Sequence, residues 1–166
     1  MDKKVQQEDV LAIIAPELHT YVEEHAALSE LMDRVREGYN EEVYADALRE
    51  IGEELTQHFV YEEEFILPRL QKHIPSDTAG PVMKLTQEHD VIRNSYEEVR
   101  QMFLERNPGE PNPELMKKMN LLAYLLKKHI EKEDHYLFPM ASVILTAEER
   151  TEIADEIARA YALRGI

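Results

Sequence analysis

Apolar residues along this chain recur at threes and fours, never at twos over a useful length, so the elements they predict are helices and no strand is expected. A short apolar lead-in, Asp9-Val10-Leu11-Ala12-Ile13-Ile14, precedes Pro16, a residue suited to a first helical turn because its missing N–H costs nothing there. The first helix runs to about Gly38 with Leu18, Val22, Leu28, Leu31 and Val35 as its stripe. A second begins at the cap residue Asn40 and runs towards His73. Pro68 is expected to kink it or end it early, because its ring collides with the carbonyl of Glu64 in a regular helix. Pro75-Ser76-Asp77 reads as a turn, and a third helix runs from about Thr78–Pro81 to roughly Glu105. Asn107-Pro108-Gly109-Glu110-Pro111 is the clearest break. Asn112-Pro113-Glu114 then opens a fourth helix, to about Pro139 or a little past. Thr146-Ala147-Glu148-Glu149 is a capping box, and Ile153, Ile157 and Tyr161 are the stripe of a last helix that covers a flank. Short connections force antiparallel neighbours. The expected fold is all-α: an up-down-up-down four-helix bundle over about residues 16–141, with the lead-in before it and the extra C-terminal helix at about 146–164, in a single domain of 166 residues.

One stretch of the pattern occurs twice. His129, Glu133 and Pro139 repeat His58, Glu62 and Pro68 at a common offset of 71 residues. Residues four apart share a helix face, so each copy offers an imidazole and a carboxylate to one point. The first and third helices each carry a Glu-His pair, Glu24-His25 and Glu88-His89. Four of the seven histidines thus fall one per long helix. Counting from the loops, His89 and His129 each lie 17 residues from the break between their helices, roughly 25 Å at 1.5 Å per residue. His25 and His58 lie 14 and 18 residues from their shared turn, and His58 and His89 lie 16 and 11 from theirs. Those differences amount to about a turn, so all four can meet at one level.

A single His-x-x-x-Glu is ordinarily an exposed pair contributing a few tenths of a kcal/mol. Two copies in register, with one His per helix, form instead a candidate metal site of His25, His58, Glu62, His89, His129 and Glu133. Neutral imidazole and carboxylate suit iron, with zinc or manganese as substitutes. Two carboxylates do not neutralise two ferric ions, so an oxide or hydroxide bridge is expected in the oxidised state, and few protein ligands per ion leave a position for a small molecule. His19 and His135 lie six residues from a proposed ligand and so off the inward face, and His73 is too far along its helix. Tyr21, four residues before His25, is expected in the core beside the site. Glu63, Glu64 and Asp134 are expected to be solvated.

The formal net charge of −15 disfavours nucleic acid and anionic membrane as partners. With no cysteine, disulfides, thiolate catalysis and cysteine-ligated zinc or iron–sulfur clusters are excluded. The start of the chain lacks the apolar core of a signal peptide and no apolar run reaches membrane-spanning length, so a cytoplasmic protein is expected.

These motifs resemble the hemerythrin-like, or HHE cation-binding, domain family. The resemblance runs from about Leu18 to Met140. It rests on Glu24-His25, on His58 and Glu62-Glu63 with Leu67-Pro68, on Glu88-His89-Asp90, and on His129 and Glu133 with Leu137-Phe138-Pro139. It implies a four-helix bundle with a non-haem di-iron centre that binds O2 or NO, senses oxygen or iron, or helps repair iron–sulfur clusters. The chain departs from the oxygen-carrying members at Arg93, where they have a second His on the third helix. They also place an Asp five residues after the last His; here that residue is Asp134, beside Glu133, which leaves the choice of carboxylate open. The missing His leaves a more open iron, which moves weight from reversible oxygen carriage towards sensing, nitric oxide chemistry or cluster repair.

The leading expectation is therefore a di-iron protein with O2 or NO as small-molecule ligand, binding or sensing rather than turning over. The alternatives are repair or oxidase-type activity at the same site, and a metal-free bundle that only binds a protein partner. A ferritin-type site is disfavoured because no His follows a Glu at three residues' distance.

Overall fold

A computed structural model describes residues 13–74 and 80–164, all helix, turn and loop, with no strand among them. Residues 9–12 of the lead-in and the Pro75-Ser76-Asp77 turn lie outside the described residues, as does the start of the third helix before Gly80. After a 3₁₀ turn at Pro16–Leu18, α1 spans His19–Val35. The segment 41–71, α2, is built from Glu41–Thr56, His58–Tyr61, a π-helical turn at Glu62–Ile66, and Leu67–Gln71. Helix α3 is Gly80–Glu105. The segment 113–144, α4, comprises Pro113–Lys132, a second π-helical turn at Glu133–Leu137, and Phe138–Ile144. Helix α5 is Ala147–Arg164.

The expected caps are made. Asn40 Oδ1 accepts from the Val43 N–H at 3.1 Å, and Asn112 Oδ1 accepts from both Glu114 and Leu115 N–H. Thr146 and Glu149 close the reciprocal box at 3.0 and 3.1 Å. Gly109, with φ +82°, takes the left-handed turn of the break that joins α3 to α4.

Pro68 interrupts the regular winding of its helix without ending it: α2 continues to Gln71, and α4 likewise runs through Pro139 to Ile144. The cause is the π turn before each proline. The Leu67 N–H reaches back to the Glu62 carbonyl and the Phe138 N–H to that of Glu133, five residues rather than four. The wider turn takes up the ring that a regular helix would force onto a carbonyl.

The interior divides into two apolar layers. One holds Met32, Tyr44, Ile51, Phe59, Ile92, Met119 and Leu126 with their neighbours. The other holds Leu18, Val22, Ile66, Leu70, Val82, Leu137, Phe138 and Ile153. Each long helix passes from one layer to the other at its histidine. A polar stratum therefore crosses the bundle where the four imidazoles meet. Helix α5 seals the second layer through Ile153 and is clamped to α2 by Arg69, whose guanidinium donates to Glu156 at 2.8 and 3.1 Å.

Candidate metal centre

His25, His58, His89, His129, Glu62 and Glu133 are all buried, the two glutamates and His25 and His89 completely. They do not form one undivided cluster. Ligand atoms of Glu62, His89, His129 and Glu133 lie within 4.8 Å of one another, and those of His25, His58 and Glu54 form a second group on the same criterion. His25 Nε2 lies 3.8 Å from Glu133 Oε1 and links the two.

In the first group, His89 Nε2 is 3.2 Å from Glu62 Oε2 and His129 Nε2 is 3.1 Å from Glu133 Oε1. Yet both ring nitrogens and all four carboxylate oxygens lack a hydrogen-bond partner. Buried polar groups are almost always satisfied, and six unpartnered nitrogen and oxygen atoms converging on one spot form a donor set suited to a cation. Burial and the facing Glu133 carboxylate push Glu62 up to about 8, and burial pushes Glu133 up to about 7. Burial also holds His129 below its usual value, so its inward-facing Nε2 keeps its lone pair.

Each of the four histidines is held at Nδ1 by a carboxylate. His25 pairs with Asp134 at 3.0 Å, His58 with Glu54 at 2.9 Å, His89 with Glu63 at 2.9 Å and His129 with Glu88 at 3.0 Å. Such a partner fixes the ring and its tautomer and raises ligand basicity. Glu63 and Asp134 are thus not solvated, contrary to expectation; Glu64 is exposed. A regular helix would turn the residue after Glu62 or Glu133 about 100° from the inward line. Across the bundle interface, however, a neighbouring helix presents its histidine to that flank: α3 presents His89 to Glu63, and α1 presents His25 to Asp134.

Glu54 was invisible to motif reading, although it stands four residues before His58, as Glu62 stands four after, and so shares their stripe. Its Oε1 also meets His25 Nε2 at 3.0 Å, while His58 Nε2 contacts Glu24. Burial opposes charge here, but Glu54 and the Asp134 hydrogen bond hold His25 raised, and Glu24 and Glu54 lift His58 to about 10. The same two imidazoles hold Glu54 well below the usual carboxylate range despite its burial.

The remaining candidates fall where expected. His19 Nε2 donates to the Ile14 carbonyl (2.7 Å), His73 pairs with Glu149 (2.7 Å), and His135 is exposed. Tyr21 packs beside His58, ring centres 4.9 Å apart, with a buried, unpartnered hydroxyl whose ionisation burial and the neighbouring Glu62 carboxylate suppress. Arg93 is not a ligand: it grips Glu63 with two nitrogens, at 2.8 and 2.9 Å. No helix among the described residues is long and apolar enough to cross a membrane.

A helical bundle with a buried stratum of imidazoles and carboxylates defines a protein able to bind cations in its core. The chain belongs to the hemerythrin HHE cation-binding domain family, which matches residues 17–141. It is similar to the iron–sulfur cluster repair protein YtfE of Yersinia pseudotuberculosis serotype IB (strain PB1/+), with 33% identity over 101 residues, covering 58% of this chain and 46% of that protein. YtfE of Yersinia pestis (strain Pestoides F) is 32% identical over the same shares. The chain thus spans about half the length of the curated relatives it matches. No solved structure matches it significantly. The family is described as cation-binding.

Proposed function

We propose that this chain is a non-haem di-iron protein whose ligands are His25, His58, Glu62, His89, His129 and Glu133, and whose centre binds or senses O2 or NO. The observation that carries this reading is the set of six unpartnered ring-nitrogen and carboxylate atoms on His89, His129, Glu62 and Glu133. Bound iron would supply the one-electron chemistry and the affinity for a diatomic ligand that side chains lack. The residues do the rest. Glu63 and Glu88 orient His89 and His129 with Nε2 inward, Asp134 and Glu54 orient the other two rings, and the apolar layers on either side exclude water. Arg93, bound to Glu63 where oxygen carriers have a further histidine, favours sensing or nitric oxide chemistry over reversible oxygen carriage. Within this reading Glu133 is the ligand and Asp134 its helper, because Glu133 is fully buried and Asp134 reaches His25 from the side.

The test is anaerobic loading with ferrous ion, followed by metal analysis and stopped-flow mixing with NO or O2. Two irons per chain, falling in His58→Ala and His129→Ala variants whose circular dichroism is unchanged, support the reading. A folded protein that takes up no iron ends it. Repair of iron–sulfur clusters is a second reading, favoured by the activity for which the relatives are named. It requires that the iron-loaded protein restore an oxidatively damaged iron–sulfur enzyme, and that His58→Ala abolish the effect.

A further inference from the structure

The internal repeat supplies a control for every acid around the centre. The offset of 71 residues maps Glu62 onto Glu133 and Glu63 onto Asp134, and an offset of 64 maps Glu24 onto Glu88 and His25 onto His89. Three charged residues break the correspondence. Glu54 maps onto Leu125, Lys132 maps onto Tyr61, and Arg93 maps onto Ser29.

All three breaks push the same way. In the His89–His129 half, each carboxylate that holds an imidazole is itself capped by a cation: Glu63 by Arg93, at 2.8 and 2.9 Å, and Glu88 by Lys132. In the His25–His58 half, neither Asp134 nor Glu54 has a Lys or Arg within 4.0 Å among the described residues, and Glu54 adds a buried anion beside His25 Nε2. A capped carboxylate polarises its imidazole N–H less than a bare one, so bare partners make stronger donors of their rings and stabilise a higher charge on an ion bound to them. The extra anion acts in the same sense by direct attraction, in a site dry enough for it to matter.

We propose that Glu54, Arg93 and Lys132 set the two iron positions at different potentials, so that iron held by His25 and His58 is oxidised first while iron held by His89 and His129 stays ferrous. The protein would then rest readily in a half-oxidised state. This rests on the di-iron reading above. Each oxidation removes one electron from one ferrous ion, and an outer-sphere oxidant such as ferricyanide accepts it and becomes ferrocyanide; no bond to a ligand is made or broken. A groove of about 640 Å³ between α1 and α2 is lined by Glu24, Glu54 and His58, on the flank of that half.

The experiment is a stepwise ferricyanide titration of the diferrous protein, followed by the electron paramagnetic resonance signal of the half-oxidised centre, with iron counted in each sample. Glu54→Gln is expected to make the first step harder and leave the second nearly in place. Arg93→Met is expected to make the second step easier and leave the first, and Arg93→Lys to restore it. Either neutral variant should lower the constant for forming the half-oxidised state by about tenfold, the worth of one nearby unit charge in a partly dry site. Lys132→Met, at a more exposed position, should act like Arg93→Met but more weakly, and it serves if Glu54→Gln loses iron. Constants within twofold of the wild type in iron-replete Arg93→Met and Lys132→Met, or shifts falling on the opposite steps, overturn the proposal. A wild-type chain that binds fewer than two irons is a different failure, that of the di-iron reading itself.

Discussion

Removing metal and raising pH should destabilise this protein, the opposite of the usual behaviour of carboxylates. Glu62 and Glu133 titrate near 8 and 7 in the folded chain against about 4.5 when exposed. A group whose folded value is raised binds its proton more tightly when folded, so its stabilisation is complete below the unfolded value and is lost as pH climbs to the folded one. One unit is worth about 1.4 kcal/mol. Between pH 5.5 and 7.5 the facing pair should therefore cost the metal-free fold on the order of 2–4 kcal/mol. His58, raised to about 10, loses stabilisation above pH 6.5 and adds to the decline. His129, lowered by burial, offsets part of it as the unfolded chain gives up its proton near pH 6.5. Glu54 is ionised in both states throughout this window and does not alter the slope. At about 2–4 °C per kcal/mol for a chain of this size, the midpoint of thermal unfolding should fall by roughly 5–15 °C. The assay is calorimetry of chelator-stripped protein at pH 5.5, 6.5 and 7.5, repeated with a divalent ion. Metal binding requires the deprotonated carboxylates, so the loaded protein should gain stability over the same range. Glu62→Gln should flatten the metal-free slope and raise the midpoint at pH 7.5. A metal-free midpoint that is level or climbs with pH would refute the view of Glu62 and Glu133 as uncompensated buried acids.

Two further outcomes concern the scaffold. Asn112→Ala removes the acceptor for two N–H groups at the start of α4 and should lower stability by about 1 kcal/mol in urea unfolding, without loss of iron. Gly52 faces α3, and a Cβ there would stand 2.7 Å from the Tyr96 hydroxyl. Gly52→Ala should accordingly be neutral or destabilising alone, yet stabilising by up to about 1 kcal/mol in a Tyr96→Phe background, where the helical preference of alanine is no longer opposed.

The helices and their ends were legible because their signals are local. Asn40, Asn112 and the Thr146–Glu149 box act within three residues of themselves, and the stripes of α1 and α5 need only a period. The four histidines were legible because the chain repeats itself at a fixed offset. What could not be read has one of two causes. The π turns at Glu62–Ile66 and Glu133–Leu137 depart from the period of about 3.6 residues, so the sequence could offer a kink or an end at Pro68 but not the wide turn that makes room for its ring. The partners of the imidazoles, Glu63, Asp134, Glu88 and Glu54, belong to neighbouring helices or to a neighbouring turn. No spacing within one helix shows which histidine another helix will present. Glu54 did leave a trace, a charged residue at four before His58 on a stripe that must be buried, and a depth-aware reading could have singled it out.

The partnerships that orient the rings join distant parts of the chain: His25 to Asp134 across 109 positions, His129 to Glu88 across 41, His89 to Glu63 across 26. Closing such loops costs entropy that only a nearly finished bundle has already met. The assembled centre is therefore expected to form late in folding. A nascent chain lacking α4 would have neither Asp134 to hold His25 nor the His129–Glu133 pair. A cation offered before the fourth helix is in place would meet only scattered, weakly binding side chains.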